Sequence, residues 1–134
     1  MKTTLRAPAT LLAVLLLVGC NPGGQTTPTP STGVRGTVTA GPTCPVVSDP
    51  PDPGCADRPV AGAVIVVTDA AGAQLGRVTT AADGTYTMGL GPGAYTLTPQ
   101  PANGLLGTAT PQDLRLESGD GFATIDFSYD TGIR

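Results

Sequence analysis

Apolar and polar residues alternate along most of this chain, with the two-residue period of a β-strand. From residue 33 onward no segment places apolar residues at every third or fourth position, so no helix is predicted there. The 134 residues include 19 glycines and 14 prolines, which separate the alternating runs as turns. The pattern therefore predicts an all-β domain built from short strands.

Seven runs carry this alternation. They cover residues 33–40, 63–69, 73–80, 85–90, 94–99, 112–118 and 123–129. The second run is β-branched from Val64 to Thr68, which predicts a central strand covered on both faces. Asp83-Gly84 predicts a hairpin turn, since both residues tolerate positive φ. An eighth, weaker strand candidate covers Leu105 to Ala109.

The N-terminal part of the chain has a different pattern. Lys2 and Arg6 precede the apolar run 7–18, which matches the apolar region of a signal peptide and is too short to span a membrane comfortably. The run ends in LVGC (17–20), which resembles the lipobox of bacterial lipoproteins. That resemblance implies cleavage before Cys20, a diacylglyceryl thioether on its sulfur and an acyl chain, such as palmitate, on its amine. An ordinary secretory signal and an uncleaved membrane helix are the alternatives.

Acylation would fix the location of the protein. Each buried methylene contributes about 0.8 kcal/mol, so three acyl chains would anchor it stably to a membrane. Residues 21–32 are mostly Pro, Gly, Thr and Ser, a composition typical of a tether. We therefore expect a signal peptide over 1–19, a lipidated cysteine and tether over 20–32, and one domain over 33–134. The domain would lie in the cell envelope, lipid-anchored on the extracytoplasmic side of a bacterial membrane.

The run RPVAGAVIVVTDAAGAQLGRVTTAADGTYTMGLGPGAYTLTP (58–99) resembles the carboxypeptidase regulatory-like domain. The matching features are Gly62 before the central strand, the Asp83-Gly84 turn, Tyr86, Pro92-Gly93 and Tyr95. The resemblance implies an antiparallel prealbumin/Ig-like β-sandwich of seven strands, or eight with the weaker candidate. It also implies an accessory module without catalytic residues, so we expect that the protein is not an enzyme.

Composition excludes several functions. The net charge is −3, and only five arginines follow Cys20 against ten acids, whereas nucleic-acid binding requires a cationic surface. The chain has no histidine, which excludes Ser–His–Asp and Cys–His catalysis. We expect no cofactor.

Two further cysteines, Cys44 and Cys55, bracket a loop rich in proline and aspartate. A zinc site requires about four Cys or His ligands, and only these two thiols remain once Cys20 is lipidated. A redox pair is usually C-x-x-C beside a helix, whereas ten residues separate these two. A structural disulfide, which persists outside the cytoplasm, is the favoured interpretation.

The acids of this loop are Asp49, Asp52 and Asp57. Calcium binds such carboxylates, but this spacing matches no calcium motif and the prolines restrict wrapping around an ion. We therefore predict no metal site, and interpret the acids as a stiff surface that could contact a partner.

Three functions follow from these observations. The favoured one is a non-catalytic, envelope-anchored lipoprotein acting as a structural or protein-interaction module, with an envelope protein or a polysaccharide as its partner. The alternative is a carbohydrate- or peptide-binding accessory module, for which Tyr86, Tyr95 and Tyr129 would supply stacking rings if they were exposed. The least favoured is a hydrolase with two carboxylates. Its candidates are Asp113, Glu117, Asp120 and Asp126.

Overall fold

The computed structural model of the chain describes residues 29–46 and 48–133. The described part is all-β, with nine strands and a single 3₁₀ turn. The strands are β1 (Gly33–Gly41), β2 (Arg58–Pro59), β3 (Val64–Asp69), β4 (Gln74–Thr79), β5 (Thr85–Gly89), β6 (Gly93–Pro99), β7 (Gln112–Leu116), β8 (Phe122–Thr124) and β9 (Phe127–Asp130). The 3₁₀ turn covers Pro53–Cys55. Within these residues no helix is long and apolar enough to cross a membrane.

Two sheets form a sandwich, as the sequence predicts. In the five-stranded sheet β1 is central: β5 and β2 pair with it antiparallel, and β8 and β9 pair with it in parallel. The other sheet has the order β4-β3-β6-β7, and all of its pairs are antiparallel. The predicted antiparallel pairing therefore holds for most of the sandwich, and the exceptions are β8 and β9, which run in the same direction as β1.

The core lies between the sheets and follows the predicted alternation. Its fully buried members include Val34 and Val38 from β1, Ile65 and Val67 from β3, and Leu97 from β6. The outer face of β3 is half-buried, so this central strand is fully covered only on its core side. Burying each such aliphatic side chain contributes about 1.5–3 kcal/mol.

The last predicted strand is broken where it passes Gly36 of β1. β8 and β9 flank Ile125 and Asp126, and a Cβ at Gly36 would lie only 1.8 Å from the Ile125 carbonyl oxygen. Side chains replace the missing ladder bonds. Tyr86 Oη donates to the Ile125 carbonyl (2.6 Å), and Asp126 Oδ1 accepts from the backbone N–H of Thr37 (2.7 Å).

Three further differences separate the expected strands from the observed ones. The candidate strand at 105–109 is wrong, because Leu106 makes only an isolated bridge to Asp130. The two-residue strand β2 has too little sequence to show alternation. The predicted hairpin at Asp83-Gly84 is a turn of the expected kind, with Gly84 at φ +77°, yet β4 and β5 belong to different sheets.

The Tyr86 phenol is the most perturbed titrating group of the described core. Burial, and next the negative charge of Asp126, raises the pKa of Tyr86 well above its ordinary value of 10.0. The folded state therefore keeps Tyr86 protonated at pH values where the unfolded chain ionises. Its contribution to stability is complete below about pH 10 and is lost as the pH rises from there towards the folded-state pKa.

The Tyr86→Phe variant should reveal two effects: the loss of the hydrogen bond to Ile125, and the loss of the pH dependence of stability that Tyr86 causes. At pH 8 we expect it to unfold with about 1–2 kcal/mol less free energy, because the Ile125 carbonyl loses its donor. Above pH 10 the difference from the parent should shrink, since only the parent loses a folding-linked proton. Urea unfolding at pH 8 and pH 11 measures both effects. If the difference in unfolding free energy between parent and variant is the same at pH 8 and pH 11, the pH dependence does not come from the raised pKa of Tyr86.

The described chain enters the sandwich along β5. Thr32 Oγ1 donates to the Leu90 carbonyl (2.7 Å), and Leu90 N–H donates to the Thr32 carbonyl (3.0 Å). β1 then begins at Gly33 and runs for nine residues to Gly41. At about 3.3 Å per residue this strand spans roughly 30 Å, so Thr32 and Gly41 mark opposite ends of the sandwich.

Candidate functional site

The loop between β1 and β2, of which residues 42–46 and 48–57 are described, lies at the end of the sandwich opposite Thr32. We call this loop the tip. The Gly41–Pro42 and Asp49–Pro50 peptide bonds within and beside it are cis. It contains both predicted cysteines and all three predicted acids, and it is mostly exposed.

Cys44 and Cys55 form the predicted disulfide. Their sulfurs are bonded at 2.10 Å, and the distance of 5.3 Å between their Cα atoms is within the usual range for a disulfide. The bond closes a ring over a sequence separation of 11. This covalent closure ties the far side of the tip to the segment that leaves β1.

Asp52 has a local structural role in addition to its charge. Its Oδ1 accepts from Gly54 N–H (2.8 Å), which makes it the N-cap of the 3₁₀ turn Pro53–Cys55. Its own backbone N–H donates to Ser48 Oγ (3.1 Å). Asp52 therefore orders the part of the tip that carries Cys55.

Asp57 lies against the end of β1. A Cβ placed on Gly41 would be 1.9 Å from Asp57 Oδ1, so the carboxylate lies directly against the backbone at the end of β1. Asp49 is exposed on another part of the tip. The described residues include no group of three or more acidic, thiol or imidazole side chains positioned to hold a metal ion.

Two threonines that the sequence analysis did not select also fix the tip. Thr43 Oγ1 donates to the Ala56 carbonyl (3.1 Å). Thr131, which follows β9, donates from its backbone N–H to the Gly41 carbonyl (3.1 Å) and from its hydroxyl to the Pro42 carbonyl. Thr131 is 89 residues from Pro42 in the chain, so no local pattern could indicate this contact.

The tip encloses a pocket of about 330 Å³. Prolines, the disulfide and Val46 supply most of its wall, and Asp52 and Asp57 also line it. Val46 is 74% exposed, so its side chain is accessible from solvent. The pocket thus combines an accessible apolar wall with two carboxylates.

Each of the four acids of the hydrolase hypothesis makes a local hydrogen bond or ion pair. On the side of the four-stranded sheet, Asp113 Oδ1 accepts a hydrogen bond from Thr96 Oγ1 (2.8 Å). On the same side, Glu117 forms an ion pair with Arg115 (2.9 Å). Asp120 Oδ2 accepts from the backbone N–H of Glu117 (2.6 Å) in the turn after β7. Asp126 lies between β8 and β9, where it bonds Thr37 as described above.

Two of the three tyrosine rings are enclosed in the core. Tyr86 and Tyr129 are 4% and 1% exposed, and the Tyr129 hydroxyl donates to the Gln100 carbonyl (2.5 Å). Tyr95 is half-buried and its hydroxyl donates to the Gly91 carbonyl (2.8 Å). The three rings therefore form no exposed stacking platform. Cys20, the predicted lipid attachment residue, lies outside the described residues.

Three solved structures have a similar fold, and two of them are pilins. The chain superposes on the Bacillus anthracis TIE protein with a TM-score of 0.54 and 14% identity, covering 74% of this chain and 17% of that one. The shaft pilin spaA of Lactobacillus rhamnosus GG superposes with a TM-score of 0.57 and 14% identity, covering 76% of this chain and 51% of the pilin. The minor pilin GBS52 of Streptococcus agalactiae superposes with a TM-score of 0.54 and 14% identity, covering 73% of this chain and 43% of the pilin. The chain spans about half or less of each of these proteins, and the likeness concerns the fold.

A family comparison identifies the fold more closely. No curated protein matches the chain. The model of the carboxypeptidase regulatory-like domain matches residues 52–129, more than half of the chain and all strands from β2 to β8. Together with the two-sheet architecture, this match shows that the chain belongs to the carboxypeptidase regulatory-like domain family.

Proposed function

We propose that this protein is a non-catalytic lipoprotein of the cell envelope that binds a partner protein through its tip. The observation that carries the proposal is the placement of the tip. The described chain enters the sandwich at Thr32, and the disulfide-closed loop lies at the other end of β1. A lipid at Cys20 would therefore leave the tip directed away from the attachment point.

The structure of the tip supports a role in binding. Its disulfide, the cap at Asp52 and the bonds from Thr131 restrain the described residues of the tip, which would lower the entropic cost of binding a partner. A contiguous apolar surface beside polar groups is typical of interaction sites, and the pocket wall of prolines, disulfide and Val46 supplies one here. The acids described on the two sheets are engaged in local hydrogen bonds, which supports a non-catalytic role.

The lipid anchor has its own test. Cells that express the full chain should incorporate an alkyne-labelled palmitate into it, and the protein should fractionate with membranes. The Cys20→Ala variant should lose the label and leave the membrane fraction, because the thiol that carries the diacylglyceryl group is gone. The matched control is the Cys44→Ser/Cys55→Ser double variant, which should keep label and location. A Cys20→Ala protein that remains labelled and membrane-bound would contradict lipid anchoring.

Partner binding through the tip is tested by photo-crosslinking in intact cells. A photoreactive amino acid replaces Val46 of the tip or, as the matched control, Leu75 of the edge strand β4, which is 50% exposed. We expect a discrete protein adduct from position 46 and at least about fivefold less from position 75, because only the tip would lie within an interface of usual size. Equal adducts from both positions, or none from position 46, would contradict the proposal.

A further inference from the structure

The pocket of the tip has apolar walls and charged groups of one sign. Pro42, Val46 and Pro53 contribute apolar surface, and Asp52 and Asp57 contribute carboxylates. Among the described residues that line it there is no lysine or arginine. Any occupant must therefore cover the apolar wall and also satisfy negative charge.

These requirements select one class of side chain. A purely aliphatic group would cover the wall but would desolvate two carboxylates without compensation. An anionic group would be repelled by them. Lysine and arginine have aliphatic stems that pack on apolar surface and carry the charge at the end, where it can donate charge-assisted hydrogen bonds to carboxylates.

The carboxylates retain the capacity to accept such bonds. Asp52 uses Oδ1 for the Gly54 N–H, whereas an ionised carboxylate has about four acceptor positions. Asp57 is held close to Gly41, so its carboxylate is placed against the backbone of β1. Both groups are exposed at the residue level, and a ligand can reach them from solvent.

We infer that the tip pocket binds a lysine or arginine side chain from a basic segment of the partner protein. The inference rests on the proposed function, because it names what the tip would recognise. The aliphatic stem lies on the wall that Val46 and the prolines form, and the cationic group lies between Asp52 and Asp57. The net charge of −3 favours approach of a basic segment over an acidic one.

The test uses the full chain in detergent micelles and two blocked peptides, Gly-Gly-Lys-Gly-Gly and the same peptide with norleucine in place of lysine. Norleucine keeps the aliphatic stem and lacks the ammonium group. Amide shifts in two-dimensional NMR spectra report both the location and the dissociation constant. We expect the lysine peptide to shift Cys44, Val46 and Ala56, and the norleucine peptide to bind about tenfold more weakly, as the loss of one charge-assisted bond implies.

Matched variants separate charge from shape. Asp52→Asn/Asp57→Asn removes both charges, while asparagine at position 52 can still cap the 3₁₀ turn. This double variant should bind the lysine peptide roughly tenfold more weakly, and so should the parent in high salt. Asp113→Asn, a change of charge on β7, should have no effect.

Each other outcome overturns the inference without deciding the proposed function. Equal binding of the two peptides would show an apolar pocket that does not recognise charge. Shifts elsewhere, or none at millimolar peptide, would show that the pocket takes no cationic side chain. In either case position 46 could still crosslink to a partner protein, which would support the proposed function. Conversely, if the lysine peptide binds but position 46 gives no crosslink, the pocket recognises a cationic side chain and the proposed binding of a partner protein is wrong.

Discussion

Replacing Gly36 with alanine should destabilise this protein by about 3 kcal/mol or more, the largest effect expected from a single methyl group. The new Cβ would meet the Ile125 carbonyl oxygen at 1.8 Å and the Ile125 carbonyl carbon at 2.7 Å. Both are backbone atoms, so no side-chain rotation relieves the contact. The segment between β8 and β9 would have to move away from β1.

That movement would also break hydrogen bonds that span three strands. Ile125 accepts from Tyr86 and its own N–H donates to the Arg35 carbonyl (2.9 Å), while Asp126 bonds both the N–H and the hydroxyl of Thr37. Each lost bond leaves a polar group without its partner and costs about 1 kcal/mol. Urea unfolding followed by circular dichroism measures the sum.

The matched control is Gly91→Ala. Gly91 lies in a turn where a Cβ would meet no atom within 4 Å, and its φ is not in the left-handed region. This variant should unfold within about 0.5 kcal/mol of the parent. If Gly36→Ala and Gly91→Ala unfold alike, the crossing at Ile125 does not require glycine and the explanation of the broken strand is wrong.

Removing the disulfide should cost about 3 kcal/mol in the chain-entropy model, given that it links cysteines with a sequence separation of 11. That is a large part of the roughly 5–15 kcal/mol that stabilises a small domain. We expect the Cys44→Ser/Cys55→Ser double variant to melt at least about 10 °C below the parent. Calorimetry on the two proteins checks this value.

Two treatments of the parent serve as controls. Dithiothreitol should reproduce the loss in the parent and have no effect on the double variant. EDTA should leave both melting temperatures unchanged, because the disulfide and not an ion closes the tip. A protein that EDTA destabilises and dithiothreitol does not would have a metal site in this loop.

Local patterns predicted most of the strands and the disulfide. Alternation correctly predicted that Phe127 and Tyr129 face the core, because a strand with one buried face has an apolar residue at every second position. Cys44 and Cys55 could be paired because they are the only two cysteines after Cys20. The first inference depends on residues that are close together in the sequence. The second depends on there being few possible cysteine pairs.

The features that were mispredicted depend on contacts between distant residues. At Asp83 the turn chemistry is as expected, since its Oδ1 accepts from Thr85 N–H (3.0 Å), but a turn does not determine which sheet the next strand joins. The break between β8 and β9 comes from their crossing of Gly36, about ninety residues away. The pocket of the tip likewise depends on where Val46 and Asp57 meet in space.

Crosslinking from position 46 in cells that carry the disulfide-free tip tests the central claim most directly. The account holds that a tip held in one shape by Cys44–Cys55 binds the partner. The photoreactive residue is placed at position 46 in the parent and in the Cys44→Ser/Cys55→Ser double variant, at a temperature where circular dichroism shows both to be folded and at equal abundance. The account predicts that the adduct falls at least about tenfold in the double variant, because ordering the loop on binding would cost more than 1.4 kcal/mol. An adduct of unchanged yield would contradict it.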